Sequence, residues 1–159
     1  AQRFSKIGSV PNLELENINQ ITYEFLTYFR NRTSAKIEFQ TKIPDHPVYV
    51  KMNKHLFEWV LENLFKNAVD AMNGVGTITV GIYNDTKFVY IEISDTGKGI
   101  EPKHHKTIFE PGYTTKSRGW GLGLTLVRRI INDYHRGKIE LKNSVVNKGS
   151  VFRIKLKKN

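Results

Sequence analysis

Residues 56–71 predict the central helix of the fold and read Leu56-Phe57-Glu58-Trp59-Val60-Leu61-Glu62-Asn63-Leu64-Phe65-Lys66-Asn67-Ala68-Val69-Asp70-Ala71. Apolar residues recur every three or four positions, which places them on one face of a helix. Asn53 has the side chain of a helix N-cap, and Asn73-Gly74-Val75-Gly76 ends the helix near Met72. At about 100° per residue, Asn67 falls inside the apolar arc, and Asn63 lies at its edge beside Asp70.

An amide inside an apolar arc has two interpretations. Burying it without partners costs about 1–3 kcal/mol, so Asn67 is either a core residue that binds neighbouring backbone or a ligand. As a ligand, its oxygen would hold a metal that bridges phosphates, because Mg²⁺ takes few protein ligands and keeps water and phosphate oxygens. Taken alone, the helix favours the first interpretation.

On both sides of this helix, short segments with other periodicities predict the rest of the fold. Residues 12–32, with apolar Leu15, Ile18, Phe25 and Phe29, predict a first helix, and residues 35–43 and 48–52 predict strands. Residues 77–83 and 88–94 alternate and predict a hairpin. Residues 122–134 predict a third helix, followed by strands at 138–142 and 150–157. Three helices and segregated hairpins predict an α+β fold: a two-layer α/β sandwich whose mixed β-sheet packs about three helices on one face.

Composition and charge exclude several classes of protein. The 159 residues suit one domain, and 39% hydrophobic with 25% charged residues is typical of a globular protein. The absence of cysteine excludes disulfides and cysteine-based metal sites. No apolar run approaches the roughly 18 residues of a membrane span. The formal net charge of +10 fits a polyanion, a membrane surface or a phosphorylated ligand. The basic residues are spread along the chain without an aromatic-interleaved stripe, so nucleic acid is not the expected partner.

A second polar segment, Ser94-Asp95-Thr96-Gly97-Lys98-Gly99-Ile100, directly follows a predicted strand. A carboxylate at a strand end can accept a hydrogen bond from the exocyclic amine of adenine, and the glycines let backbone approach a flat ligand. The alternative is an Asp-initiated turn, in which Asp and Gly are common for local reasons.

A third segment begins within residues 95–121 and extends into the predicted third helix. Residues 95–121 have little periodicity, and loops of this length inside a compact domain are usually functional. The third segment reads Ile108-Phe109-Glu110-Pro111-Gly112-Tyr113-Thr114-Thr115-Lys116 and then Gly119-Trp120-Gly121-Leu122-Gly123-Leu124-Thr125. Glycines before a helix leave backbone N–H groups free to bind a phosphate. The alternative is a glycine-rich hinge with solvated lysines.

Together and in this order, the segments resemble the motifs of the GHKL, or Bergerat-fold, ATPases. Residues 63–68 resemble the N box, residues 95–100 the G1 box, residues 109–116 the F box and residues 119–124 the G2 box. Lys148-Gly149-Ser150-Val151-Phe152 resembles the closing glycine–strand segment. Within that superfamily the chain is similar to sensor histidine kinases, because chaperone and topoisomerase members lack the F box.

The resemblance implies that the chain binds ATP and Mg²⁺ and acts as an ATP-dependent protein histidine kinase. Asn67 would ligate the metal, and the implied catalytic residues are Asn63, Asn67 and Lys116. The implied nucleotide contacts are Asn67, Asp70, Asp95, Gly97, Gly99, Ile100, Phe109, Tyr113, Thr114, Thr115, Lys116, Gly119, Gly121, Leu122, Gly123, Leu124 and Thr125.

Two positions bear on how the resemblance is interpreted. ATP-hydrolysing relatives such as the Hsp90 chaperones place a glutamate where this chain has Asn63, and an amide cannot act as a general base for water. The sequence therefore favours transfer to a protein acceptor over fast hydrolysis. Trp120 replaces a smaller residue in the G2 box; stacking on the lid or ligand and simple lid packing both remain open.

The resemblance also implies partners and domain bounds. None of the five histidines has the setting of a phosphoacceptor, so the acceptor is expected on a separate dimerisation hairpin. Residues 1–11 are expected to be the tail end of that hairpin, and residues 12–159 the ATP-binding domain with a lid at about 101–121. A response regulator, a cytoplasmic location and no membrane contact by this fragment are implied, although many such kinases are membrane-anchored. The alternative function is a non-catalytic, nucleotide-gated binding module.

Overall fold

The computed structural model describes residues 11–113 and 123–158, which form two packed layers. The strands are β1 (Glu14–Asn17), β2 (Ile37–Lys42), β3 (Tyr49–Met52), β4 (Gly76–Asn84), β5 (Phe88–Asp95), β6 (Lys138–Val145) and β7 (Gly149–Lys157). The helices are α1 (Ile18–Arg30), α2 (Lys54–Ala71) and α3 (Gly123–Arg128), and α3 continues as a π-helical segment, Arg129–Tyr134. The predicted α+β fold is confirmed. None of the described helices is both long and apolar enough to cross a membrane.

The larger sheet has five strands in the order β2-β4-β5-β7-β6. β2 pairs with β4 in parallel, and the other pairs are antiparallel, so the sheet is mixed as predicted. In the hairpin of β4 and β5, Ile82 lies opposite Ile91 and Val80 opposite Ile93, and all four side chains are buried. This confirms the predicted hairpin and shows that its alternate apolar residues face the helices.

Aromatic side chains join α1 and α2 in the core between the layers. The ring centroid of Phe25 lies 5.1 Å from that of Phe65, and the centroid of Phe29 lies 5.3 Å from it, both edge to face. Such pairs contribute about 0.5–1.5 kcal/mol beyond the burial of their area. The contacts fix α2, the helix that carries Asn63 and Asn67, against the rest of the core.

The prediction that residues 12–17 are helical is wrong. Residues 14–17 form β1, which pairs antiparallel with β3 in a small second sheet. The Asn17 side chain accepts a hydrogen bond from the Asn19 N–H at 3.1 Å, so it caps α1 and sets the helix start at Ile18. Leu15 fits the helical pattern of apolar residues, but its side chain is 54% exposed. Pairing with β3 satisfies the hydrogen-bonding groups of the β1 backbone, and the local periodicity of the sequence does not reveal this pairing.

His135 joins the end of the π-helical segment to the start of α2. Its Nδ1–H donates to the Ile130 carbonyl at 2.8 Å, and the Asn53 N–H donates to its Nε2 at 3.1 Å. The imidazole must be neutral to make both bonds, since Nε2 acts as an acceptor. The residue is 7% exposed, and burial lowers the pKa of His135 below 6.5, although the bond to Ile130 opposes the shift. Packing is therefore its role in this structure.

This neutral histidine predicts that the folded state loses stability in mild acid. As pH falls below 6.5, the unfolded chain binds a proton at this position before the folded chain does. Each pH unit over which only the unfolded state is protonated costs about 1.4 kcal/mol. Urea unfolding between about pH 8 and about pH 5 measures the loss. His135→Gln should flatten this part of the profile, and the exposed control His55→Gln should leave it unchanged. A wild-type profile that is flat over this range would contradict the prediction.

Candidate functional site

The polar face of α2 carries Asn63 and Asn67 one turn apart, both half-buried, and the exposed Asp70 follows them. The Asn63 Nδ2 donates to the Trp59 carbonyl one turn earlier at 3.0 Å, which fixes the orientation of the amide. Its Oδ1 lies 3.0 Å from where a Cβ on Gly123 would stand. The asparagine face of α2 therefore meets the start of α3, and a side chain at position 123 would crowd that contact.

Asp95 is the last residue of β5, and backbone N–H groups hold its carboxylate in place. The Gly97 N–H donates to Oδ1 at 2.8 Å, and the Ser150 N–H donates to the same carboxylate. Burial raises the pKa of Asp95, while the two N–H bonds oppose the shift by favouring the ionised form. The group is thus a partly desolvated acceptor with a fixed position, as recognition of a ligand amine requires.

The segment that follows Asp95 lies directly against the end of α2. A Cβ on Gly97 would stand 2.6 Å from the backbone carbonyl of Ala71, so only glycine fits without a shift. The Lys98 N–H donates to the Ala71 carbonyl at 2.9 Å. The helix that carries Asn67 and the loop that carries Asp95 are therefore held in one fixed arrangement.

The turn between β6 and β7 holds the same segment from its other side. The Asn147 N–H donates to the Lys98 carbonyl at 2.8 Å, and the Ile100 N–H donates to the Ser144 Oγ at 2.7 Å. Gly99 has a φ of +72°, and a Cβ there would collide with the Val145 carbonyl. Together with the contact to Ala71, these bonds fix the segment between α2 and the closing hairpin.

Sequence reasoning missed two residues of this arrangement. The Ser144 and Ser150 hydroxyls lie 2.8 Å apart, and Ser150 also supplies an N–H to Asp95. Ser150 lies in the closing segment that carries the family resemblance, so that resemblance was a signal for it. No pattern marks Ser144, which lies 44 residues from its partner Ile100.

The third segment is anchored to α3 where the structure describes it. Phe109 is buried, and its ring meets Phe152 edge to face at 6.2 Å. The Thr125 Oγ1 donates to the Phe109 carbonyl at 2.9 Å, so this hydroxyl joins the segment to α3. The predicted contacts Thr114, Thr115, Lys116, Gly119, Gly121 and Leu122 lie outside the described residues, as does Trp120.

Tyr113 and Leu124 complete the described part of this segment, and both are half-buried against the core. The Tyr113 ring centroid lies 5.6 Å from that of His104. Burial raises the pKa of the Tyr113 hydroxyl, and the nearby charge of Glu101 adds to the effect. The phenol therefore stays neutral at physiological pH and is available as a hydrogen-bond donor.

The geometry joins the three predicted segments at one helix. α2 touches the Asp95 segment through Ala71 and the start of α3 through Asn63. The asparagine side chains of α2, the partly desolvated Asp95 carboxylate and the beginning of α3 therefore lie on segments that contact one another. These groups suit a ligand that combines an amine-bearing ring with an anionic, metal-binding tail.

Comparison with known proteins identifies similar sequences and structures. Residues 52–159 match the model of the family described as histidine kinase-, DNA gyrase B-, and HSP90-like ATPase. The sensor histidine kinase ZraS of Salmonella typhi is 36% identical over 144 residues, which cover 89% of this chain and 30% of ZraS. The chain thus spans less than a third of that relative's length.

Solved structures give the same result for the fold. The nucleotide-free catalytic domain of histidine kinase ThkA superposes with a TM-score of 0.82 at 30% identity, covering 92% of this chain and 95% of that one. ThkA in complex with the response regulator TrrA gives a TM-score of 0.80 at 27% identity, covering 92% of this chain and 42% of that one.

Proposed function

Because the chain belongs to the family of histidine kinase-, DNA gyrase B- and HSP90-like ATPases, we propose that it is the ATP-binding catalytic part of a sensor histidine kinase. It binds Mg²⁺-ATP and transfers the γ-phosphoryl group to a histidine on a separate dimerisation domain. The observation that carries this proposal is the joining of the Asp95 segment to the asparagine helix through Ala71. This contact holds the proposed base-recognition carboxylate and the candidate metal ligands on adjoining segments.

Asp95 is the proposed partner of the adenine base. Its carboxylate accepts two backbone N–H bonds and is partly desolvated, so it presents a fixed acceptor to the 6-amino group. A guanine would present a carbonyl oxygen at that position, and two acceptors would then face each other. Gly97, Gly99 and Ile100 are proposed to form the backbone beside the base.

Asn67 is the proposed protein ligand of Mg²⁺, whose role is to neutralise the phosphate charge. The half-buried amide offers a neutral oxygen one turn from Asn63. No three carboxylate or imidazole groups gather as a metal site within residues 11–113 and 123–158. The available donor set therefore suits an ion that takes most of its ligands from phosphates and water, as Mg²⁺ commonly does. Asp70, exposed on the same helix, is proposed to bind in the outer region of the site.

The proposed reaction is phosphoryl transfer by positioning. The bond between the γ-phosphorus and the bridging oxygen breaks, a phosphorus–nitrogen bond forms to the acceptor imidazole, and ADP leaves. Asn63 supports transfer over hydrolysis, because its Nδ2 is bound to the Trp59 carbonyl and an amide does not take a proton from water. Lys116 and the lid glycines Gly119 and Gly121 are proposed to bind the phosphates.

The proposal extends to the parent protein. Residues 1–11 are proposed to be the end of the dimerisation hairpin, residues 12–159 the ATP-binding domain, and about 101–121 its lid. The histidine kinase ThkA has been solved with a response regulator, which supports a response regulator as the final phosphoryl acceptor here. A cytoplasmic location is proposed, because the reaction consumes ATP.

Two measurements test the function. Calorimetry of this chain with ATP and ADP should show binding that strengthens with Mg²⁺. Adding the parent's dimerisation hairpin and γ-labelled ATP should label the hairpin with an acid-labile phosphohistidine. Binding without labelling would leave the nucleotide-gated module as the function, and absence of ATP binding would contradict both.

A further inference from the structure

Ser144 lies near the end of β6, outside the residues assigned to the nucleotide, and its hydroxyl has three polar neighbours. The Ile100 N–H lies 2.7 Å from Oγ, the Ser150 hydroxyl 2.8 Å, and the Gly149 carbonyl 3.4 Å. A register shift between Leu141 and Asn143 interrupts the β6–β7 ladder just before this residue. This half-buried serine therefore bonds to two other parts of the chain at the end of its strand.

The chemistry of a hydroxyl fixes the direction of the bond to Ile100. Since the Ile100 amide can only donate, Ser144 uses one lone pair to accept from it. Ser144 also shares a hydrogen bond with the Ser150 hydroxyl, in which either oxygen can be the donor, and its own proton can reach the Gly149 carbonyl at 3.4 Å. Ser150 is buried, and its own N–H donates to the Asp95 carboxylate. One hydroxyl therefore connects Ile100 with the residue that orients Asp95.

Ile100 is the point at which the Asp95 segment ends and the chain turns toward the predicted lid. Its carbonyl accepts from the His105 Nε2–H at 2.7 Å, so both of its backbone groups are bound by side chains. Asp95 and Ile100 are the two ends of the proposed base-binding segment. Ser144 thus acts on both ends: directly at Ile100 and through Ser150 at Asp95.

We propose that Ser144 is a positioning residue for the nucleotide base, which holds the segment from Asp95 to Ile100 in its base-binding arrangement. This inference rests on the proposed function, since it assigns the segment to adenine. Removal of the hydroxyl leaves the Ile100 amide without its partner and uncouples Ser150 from it. The carboxylate then has more positions available, and adenine recognition weakens.

The test compares Ser144→Ala with Ser144→Thr, which keeps a hydroxyl, and with Ser34→Ala. Ser34 is a matched control because its Oγ also accepts a backbone N–H, from Lys36 at 3.1 Å, but it lies in an exposed loop. We expect Ser144→Ala to weaken ATP binding about 5- to 10-fold, the value of one hydrogen bond. The preference for ATP over GTP should fall with it, and Ser144→Thr should restore both.

Hydrogen exchange of the Ile100 amide separates this inference from the proposed function. Without nucleotide, exchange at Ile100 should be faster in Ser144→Ala and normal in the other two variants. If ATP binds the wild type but Ser144→Ala changes neither affinity nor exchange, the positioning role is wrong. An affinity loss that Ser144→Thr does not restore would also overturn it. Failure of the wild type to bind ATP would instead refute the proposed function.

Discussion

Replacing Asp95 with asparagine is expected to weaken ATP binding about 10- to 100-fold, the value of a hydrogen bond to a charged acceptor. The carboxylate accepts from the Gly97 and Ser150 N–H groups, and the adenine amine would be a third donor. An asparagine side chain has one acceptor oxygen and one amino group. Whichever way the amide turns, its amino group faces one of these donors, so either adenine or a backbone N–H that fixes the side chain loses its acceptor.

Asp85 supplies a matched control for this variant. It lies just before β5, at the other end of the strand that carries Asp95, and its Oδ1 accepts the Lys87 and Phe88 N–H groups at 2.8 and 2.7 Å. Asp85→Asn therefore changes the same chemistry away from the proposed site, and ATP affinity should not change. Calorimetry measures both affinities, with thermal unfolding as the check on folding. Equal affinity of Asp95→Asn and wild type would refute the base assignment.

A low-pH titration of ATP binding adds a second measure of the same carboxylate. Because burial raises the pKa of Asp95, this group takes up a proton earlier on acidification than an exposed aspartate does. The protonated form donates a hydrogen bond where adenine requires an acceptor. The adenine contribution to affinity is thus expected to be present above this raised pKa and to disappear below it.

The central helix and the hairpin were predictable because their patterns are long and repeat within the element. Seven of the apolar positions of α2 are buried, and the helix starts after Asn53 as predicted. The first strand was not predictable, since its structure depends on pairing with residues 49–52, more than 30 positions away. The structure of a short, weakly alternating segment is set by the strand with which it pairs, whereas that of a long amphipathic helix is set by its own periodicity.

The residues of the proposed site divide in the same way. Asn63, Asn67 and Asp95 could be proposed from sequence because each is marked within its own element: the two asparagines by their place in or beside the apolar arc of a helix, and Asp95 by its place at a strand end. The contacts that assemble the site, such as Lys98 to Ala71, join segments whose neighbourhood no local pattern encodes. The bond between His135 and Asn53 likewise joins residues 82 positions apart, which no local pattern encodes. Side chains that position other residues are therefore the ones that sequence reasoning overlooks.

Replacing Asn67 with alanine is expected to abolish the dependence of ATP binding on Mg²⁺. Asn67 would be the main protein ligand of the ion, and the remaining ligands would come from phosphates and water. Without the amide oxygen, affinities measured with and without Mg²⁺ should agree within about twofold. Transfer to the hairpin should fall by about 1,000-fold or more, because a metal ion contributes several kcal/mol to stabilising the charge of the transition state.

Two further variants separate loss of the metal ligand from damage to the helix. Asn67→Asp keeps an oxygen ligand and is expected to retain the Mg²⁺ dependence, whereas a purely structural asparagine would tolerate the added charge poorly. Asn31→Ala makes the same truncation at the exposed end of α1 and should change neither binding nor transfer. Each protein is titrated with Mg²⁺ at fixed ATP, and its thermal unfolding is measured in parallel. If Asn67→Ala folds normally and still gives the wild-type Mg²⁺ titration, Asn67 is a core asparagine, and the metal must be held elsewhere.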